Sequence, residues 1–187
     1  MTLLHPYLAL LAAVALERGL ELRLSERNAR RALARGGVEH GRGHYPVMVV
    51  MHTTFLLCCA AEALAFPAVP PAAALAALAG AAAAQGLRWW AVAALGERWS
   101  TRVVVVPGAA PVTGGPYRWL RHPNYLAVVL EVACLPLAWG SWRTALLFSL
   151  ANAALLRVRI RAEERALGPA WEAAFAGRPR LLPGGRA

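Results

Sequence analysis

The stretch PVMVVMHTTFLLCCAAEALAF, residues 46–66, contains no Arg, and His52 and Glu62 are its only acid or imidazole side chains. A membrane-spanning helix needs about 20 mostly apolar residues, and this run supplies them. Outward from it, Ala72 to Leu95 is long enough and rich in Ala, which permits close helix–helix approach. Tyr125 to Trp139 and Trp142 to Val158 form an apolar hairpin around the tight turn Trp139-Gly140-Ser141. Leu3 to Leu16 is apolar but short, so it must thin the bilayer or lie partly embedded. The expectation is an all-α, multi-span membrane helix bundle of about five transmembrane helices, with a cytoplasmic C-terminal helix. It forms a single domain over residues 1–187.

Composition agrees. The chain is 58% hydrophobic with a mean hydropathy of +0.44, and 16% of it is charged. A soluble domain carries about 25% charged residues. Net charge is +10, every Lys/Arg position is Arg, and no Asp is present. Most of the Arg residues fall between the apolar runs, as topology signals do, which excludes nucleic acid as the partner. Cys58, Cys59 and Cys134 all lie within apolar runs, outside any metal-ligand spacing. No metal site and no cleavable signal peptide are expected.

Orientation follows from the Arg distribution. The connection 18–44 holds seven Arg residues, and the turn Pro67 to Pro71 holds none. The connection 96–123 holds Arg98, Arg102, Arg118 and Arg121, and the turn 140–143 holds only Arg143. The tail after Val158 holds Arg159, Arg161, Arg165, Arg178, Arg180 and Arg186. The positive-inside rule then places the N-terminus outside and the C-terminus in the cytoplasm of an inner membrane protein. The long connections and the tail share one face, where a soluble charged cofactor is available.

Chemistry concentrates in two places. Gly114-Gly115-Pro116-Tyr117-Arg118-Trp119-Leu120-Arg121-His122-Pro123-Asn124-Tyr125 leads a turn into the fourth span. Pro123 suits a first helical turn, and a helix N-terminus favours a carboxylate. The plainer explanation is an aromatic and Arg belt at the interface. Arg159-Ile160-Arg161-Ala162-Glu163-Glu164 follows the fifth span, with Arg159 and Glu163 at i, i+4 and Asn152 on the same stripe. Alone it reads as a solvated helix with local ion pairs. Within the spans, His52, Glu62, Gln85, Arg88 and Glu131 are polar groups in apolar surroundings, where such groups face a cavity or a partner. Arg88 either pairs with Glu131 or Glu62 to bind the bundle, or lines a substrate pocket with His52 and Trp89 and attracts an anionic head group.

Together the two motifs, G-P-Y-x-x-x-R-H-P-x-Y and R-I-x-x-E-E-x-x-L on either side of a hairpin, resemble the isoprenylcysteine carboxyl methyltransferase family. The resemblance covers residues 85–180 and implies a cofactor-binding catalytic core there. It implies an integral membrane enzyme that binds S-adenosylmethionine and draws a lipophilic substrate from the membrane lipid. It also implies that Tyr117, His122, Pro123, Tyr125 and Glu163 or Glu164 hold the cofactor. Arg121 or Arg159 would meet the cofactor carboxylate or the substrate anion. The N-terminal half, with Ser25-Glu26-Arg27-Asn28, Glu39-His40-Gly41, His44-Tyr45-Pro46 and His52, is similar to bacterial members that O-methylate alkylpyrones made by type III polyketide synthases. That departure counts against prenylated protein as the substrate. An NADPH-dependent membrane reductase of the sterol-reductase type shares an R-H-x-N-Y segment, which Asn124 satisfies. The paired acids suit an amine better than a nucleotide phosphate. A small transporter is the non-enzymatic alternative, supported by the intramembrane charges.

Overall fold

The computed structural model describes residues 4–181, so Leu3 and Arg186, used above, lie outside it. Among the described residues five α-helices make up most of the structure: α1 Leu4–Ala34, α2 His44–Ala65, α3 Pro71–Leu95, α4 Pro123–Leu137 and α5 Trp142–Ala174. Of these, α2 is long and apolar enough to cross a membrane, with a mean hydropathy of 1.8 in its best window. Most of that window faces outward rather than into a protein core, unlike the central helix of a soluble protein. Helix α4 is apolar but spans 15 residues, about 22 Å. Leu57 and Leu64 on α2, Leu75 on α3, and Leu146, Leu147 and Leu150 on α5 form an exposed apolar exterior.

Helix boundaries follow local chemistry. Pro67 ends the run after α2, and α3 restarts at Pro70-Pro71, with Pro at its first position. Pro123 opens α4, and Gly140, at φ +97, makes the left-handed turn between α4 and α5. The free N–H groups at the start of α5 are met by Glu62. Its carboxylate accepts from the Thr144 amide at 2.9 Å, the Thr144 hydroxyl at 2.6 Å and the Arg143 amide at 3.3 Å. A carboxylate at a helix N-terminus is favourable. Glu62 is therefore an α5 cap and does not pair with Arg88. Around this end, Tyr7, Leu11, Phe55, Cys59, Val132, Leu135, Trp139 and Phe148 form the main apolar cluster.

Three features differ from expectation. The connection 18–44 is helical as far as Ala34, continuing α1 without a break. Its good helix formers and the ion pairs Arg18–Glu21 and Arg30–Glu26, at helical spacing, sustain it. The fold is not purely helical: β1 Val38–His40 pairs antiparallel with β2 Val103–Val105, tying the first connection to the second. Finally, α5 bends at Gly168, whose φ of +72 lies outside the helical region, immediately before Pro169. The bend turns Trp171 and Phe175 back against Tyr117 and Ala91.

Candidate functional site

A cavity of about 870 Å³ opens between all five helices and is roofed by the segment Trp99–Val112. Ligand pockets commonly fall in this range. One end gathers the two sequence motifs, and the other penetrates the bundle.

The motif end is built by the chain folding back on itself. The Arg121 amide donates to the Pro179 carbonyl at 2.9 Å, and the His122 amide donates to the Arg180 carbonyl at 3.0 Å. Arg121 Nε donates to the Arg178 carbonyl at 2.8 Å, and Arg178 Nη1 donates to the Tyr117 carbonyl at 2.8 Å. The tail thus clamps the segment that begins α4. His122 stacks on Tyr125 and lies beside Trp171, with ring centroids 5.3 and 5.5 Å apart. The Tyr125 hydroxyl donates to Glu163, and the Arg159 guanidinium lies 5.8 Å from the Tyr125 ring centroid. Burial pushes the Tyr117 hydroxyl well above its ordinary range, so it stays protonated.

Arg159 is almost fully buried and makes one hydrogen bond, from Nη2 to the Thr101 carbonyl at 2.7 Å. Its Nε and Nη1 have no partner among the described residues, nor do the side-chain oxygens of Asn152 and Asn124. All three residues line the cavity. A buried polar group left unpaired costs about 1–3 kcal/mol, so the Arg159 nitrogens suit an acceptor on a ligand and the Asn oxygens a donor. Thr101 is fixed from α1: its amide donates to Ser25 Oγ at 2.9 Å, and Asn28 Nδ2 donates to the Trp99 carbonyl at 2.9 Å.

Tyr117, Arg121, His122, Tyr125, Arg159 and Glu163 all line this end of the cavity. Pro123 is buried at the first position of α4 and sets the helix start rather than the wall. Glu164 points elsewhere: it accepts from Arg180 at 2.9 and 2.8 Å and from His122 at 3.2 Å. Burial works against its charge, but His122 and Arg180 outweigh burial and hold its pKa at about 2.

At the inner end, Arg88 pairs with Glu131, as the first of the two sequence readings has it, and also lines the cavity. His52 lines it too. Trp89 does not: it is 61% exposed on the outer side of α3, where its indole donates to Glu17. One helical position separates it from Arg88, and the 100° turn carries it off the cavity face. Arg18 and Glu21 join the cluster, Arg18 lying 2.8 Å from Glu21 and 3.8 Å from Glu131. Neither was identified from the sequence; the signal was Glu17-Arg18 directly after an apolar run. Trp171 was missed as well, though Gly168-Pro169 marks the bend that delivers it.

Comparisons with known proteins bear on this arrangement. Residues 75–169 match the model of the isoprenylcysteine carboxyl methyltransferase (ICMT) family. The chain is similar to the uncharacterized protein YpbQ of Bacillus subtilis (strain 168), 40% identical over 158 residues, 84% of this chain and 94% of that one. It is also similar to an uncharacterized protein of Haemophilus influenzae, 25% identical over 161 residues, covering 83% of this chain and 91% of the other.

Proposed function

The chain belongs to the isoprenylcysteine carboxyl methyltransferase family, and from that premise we propose that it transfers a methyl group from S-adenosylmethionine to an acidic oxygen of a lipophilic acceptor. The family is one of membrane methyltransferases that use S-adenosylmethionine in general. The observation that carries the reading for this chain is Arg159: a nearly fully buried guanidinium with two unpartnered nitrogens, one helical turn from Glu163, in the wall of the cavity. A guanidinium with unpartnered nitrogens suits a carboxylate, the Glu163 carboxylate, which accepts one bond from Tyr125 and has further lone pairs, suits an ammonium or a ribose diol, and the donor carries all of these. His122, Tyr125 and Trp171 supply an aromatic wall for its base. The donor provides an electrophilic methyl. The residues of the chain bind and orient it and exclude water, which is most of what an in-line displacement needs.

The acceptor is read as a long-chain molecule bearing a carboxylate, enol or phenol, an alkylpyrone-like polyketide among them. The apolar exterior supports entry of its tail from the bilayer, and the alternating Arg distribution supports five spans with an outer N-terminus. The family match disfavours the reductase and transporter alternatives. Calorimetry on the purified protein tests the reading. S-adenosylmethionine and S-adenosylhomocysteine should bind, and NADPH should not; NADPH binding without either adenosyl ligand would overturn it.

A further inference from the structure

The inner end of the cavity lies at a common depth on every helix. Arg18, His52, Arg88, Glu131 and Asn152 each sit seven or eight residues inward from Ser25, His44, Leu95, Pro123 and Arg159, which lie at or near the motif end. At 1.5 Å per residue this is about 10–12 Å below the motif end. Beyond it, the cluster containing Tyr7, Phe55, Cys59 and Phe148 is packed. The cavity is thus a chamber with a charged floor, and besides the unpartnered Asn152 oxygen the floor holds, among the described residues, one neutral nitrogen base with a free lone pair.

That group is His52. Its Nδ1 lies 2.9 Å from the Met48 carbonyl oxygen, one turn back along α2. A carbonyl can only accept, so Nδ1 carries the hydrogen. In the neutral ring Nε2 is then bare and an acceptor. Nε2 has no partner among the described residues, and the side chain lines the cavity. The charged and titratable groups around it come from three other helices: Arg18 and Glu21 on α1, Arg88 on α3 and Glu131 on α4; α5 presents the neutral Asn152. A carboxylate acceptor, ionised at neutral pH, needs no base. A weakly acidic hydroxyl does.

We propose that His52 is the general base for a hydroxyl acceptor, so that this chamber selects a long-chain phenol or comparable hydroxyl that arrives protonated. The inference rests on the methyltransferase reading above. The O–H proton passes to His52 Nε2, and the oxygen lone pair forms the new O–CH₃ bond. The S–CH₃ bond of the methylsulfonium donor breaks, and its electron pair stays on sulfur, giving the neutral thioether. Arg18 and Arg88 stabilise the negative charge that grows on the oxygen, and Met48 keeps the imidazole in the tautomer that can accept.

The test uses the full-length protein in lipid nanodiscs and two acceptors with the same alkyl chain. One is a para-alkylphenol, with a pKa near ~10 like that of Tyr. The other is the fatty carboxylate. The wild type should methylate the phenol, and its kcat should fall as pH drops and His52 becomes protonated. In His52→Gln the phenol rate should fall by about 100-fold or more and that pH limb should vanish, while calorimetry shows S-adenosylhomocysteine binding retained. A wild type that methylates only the carboxylate, or a His52→Gln variant with unchanged phenol kinetics, overturns the role of His52 and leaves the methyltransferase reading standing. Failure of the wild type to bind either adenosyl ligand overturns both. Independent of turnover, nitrogen NMR of the imidazole should find Nδ1 protonated and Nε2 bare; the opposite tautomer overturns the proposal.

Discussion

Glu164 and Arg180 meet in a two-point ion pair, with nitrogen–oxygen distances of 2.9 and 2.8 Å, although the residues lie on opposite sides of the bend at Gly168. Its neighbour Glu163 faces the cavity and accepts from Tyr125. Two adjacent carboxylates therefore serve different ends. Glu164→Gln should loosen the tail and weaken the bound state indirectly. Glu163→Gln should weaken S-adenosylhomocysteine by about 10-fold or more, the scale of one charge-assisted hydrogen bond, with the unfolding temperature unchanged. Calorimetry and thermal unfolding of the two variants separate the roles; equal loss of stability in both would defeat the division.

The same pair makes the tail sensitive to acid. The folded pKa of Glu164 is depressed to about 2 from an ordinary 4.5. A depressed carboxylate contributes stability above its unfolded pKa and loses it as pH falls through the folded one. The window is therefore pH 4.5 down to about 2. Arg180 is half exposed, so screening reduces the effect to on the order of 1–2 kcal/mol. Proteolysis near residues 176–181 should accelerate across that window in the wild type. In Glu164→Gln it should be fast already at neutral pH.

Arg88 and Glu131 form a buried pair inside the bundle. Removing one partner leaves the other with only a longer contact, Arg18 at 3.8 Å from Glu131 or Glu21 at 3.7 Å from Arg88, and breaking a buried pair costs up to about 3–5 kcal/mol. Arg88→Met alone should lower stability strongly, and Arg88→Met with Glu131→Leu should recover most of it. Unfolding in detergent reads this directly. A double variant as unstable as the single one would mean that Arg18 and Glu21 hold the cluster together instead.

Acceptor affinity should depend on chain length. Each methylene removed from water contributes about 0.8 kcal/mol, or roughly fourfold per carbon. A series of one head group with lengthening tails, assayed with a labelled methyl donor, should show kcat/KM rising at about that rate until the tail fills the apolar path. A flat series would remove the bilayer from substrate selection.

The helices were largely legible because apolar runs of the right length leave an unmistakable trace, as at residues 46–66 and in the hairpin after Tyr125. The stripe Asn152, Arg159 and Glu163 was legible for the same reason: helical spacing put them on one face, and all three line the cavity. The extension of α1 was not, because residues 18–34 mix charge and leucine without the signature of a span. Trp89 was assigned to the wrong side because neighbouring positions on a helix differ by about 100°. The pairing of Arg121 and His122 amides with the Pro179 and Arg180 carbonyls uses backbone atoms that every residue possesses. No side-chain pattern announces such a contact.

That backbone clamp also sets an order of events during synthesis. The segment around Pro179 and Arg180 emerges from the ribosome only after all five helices have been made. A nascent chain can place its helices in the membrane and bury its apolar cluster while the motif before α4 is still unclamped. The pocket is finished last. A chain that stops short of Pro179 therefore lacks the clamp, and binding competence follows the synthesis of that segment rather than the placing of the helices.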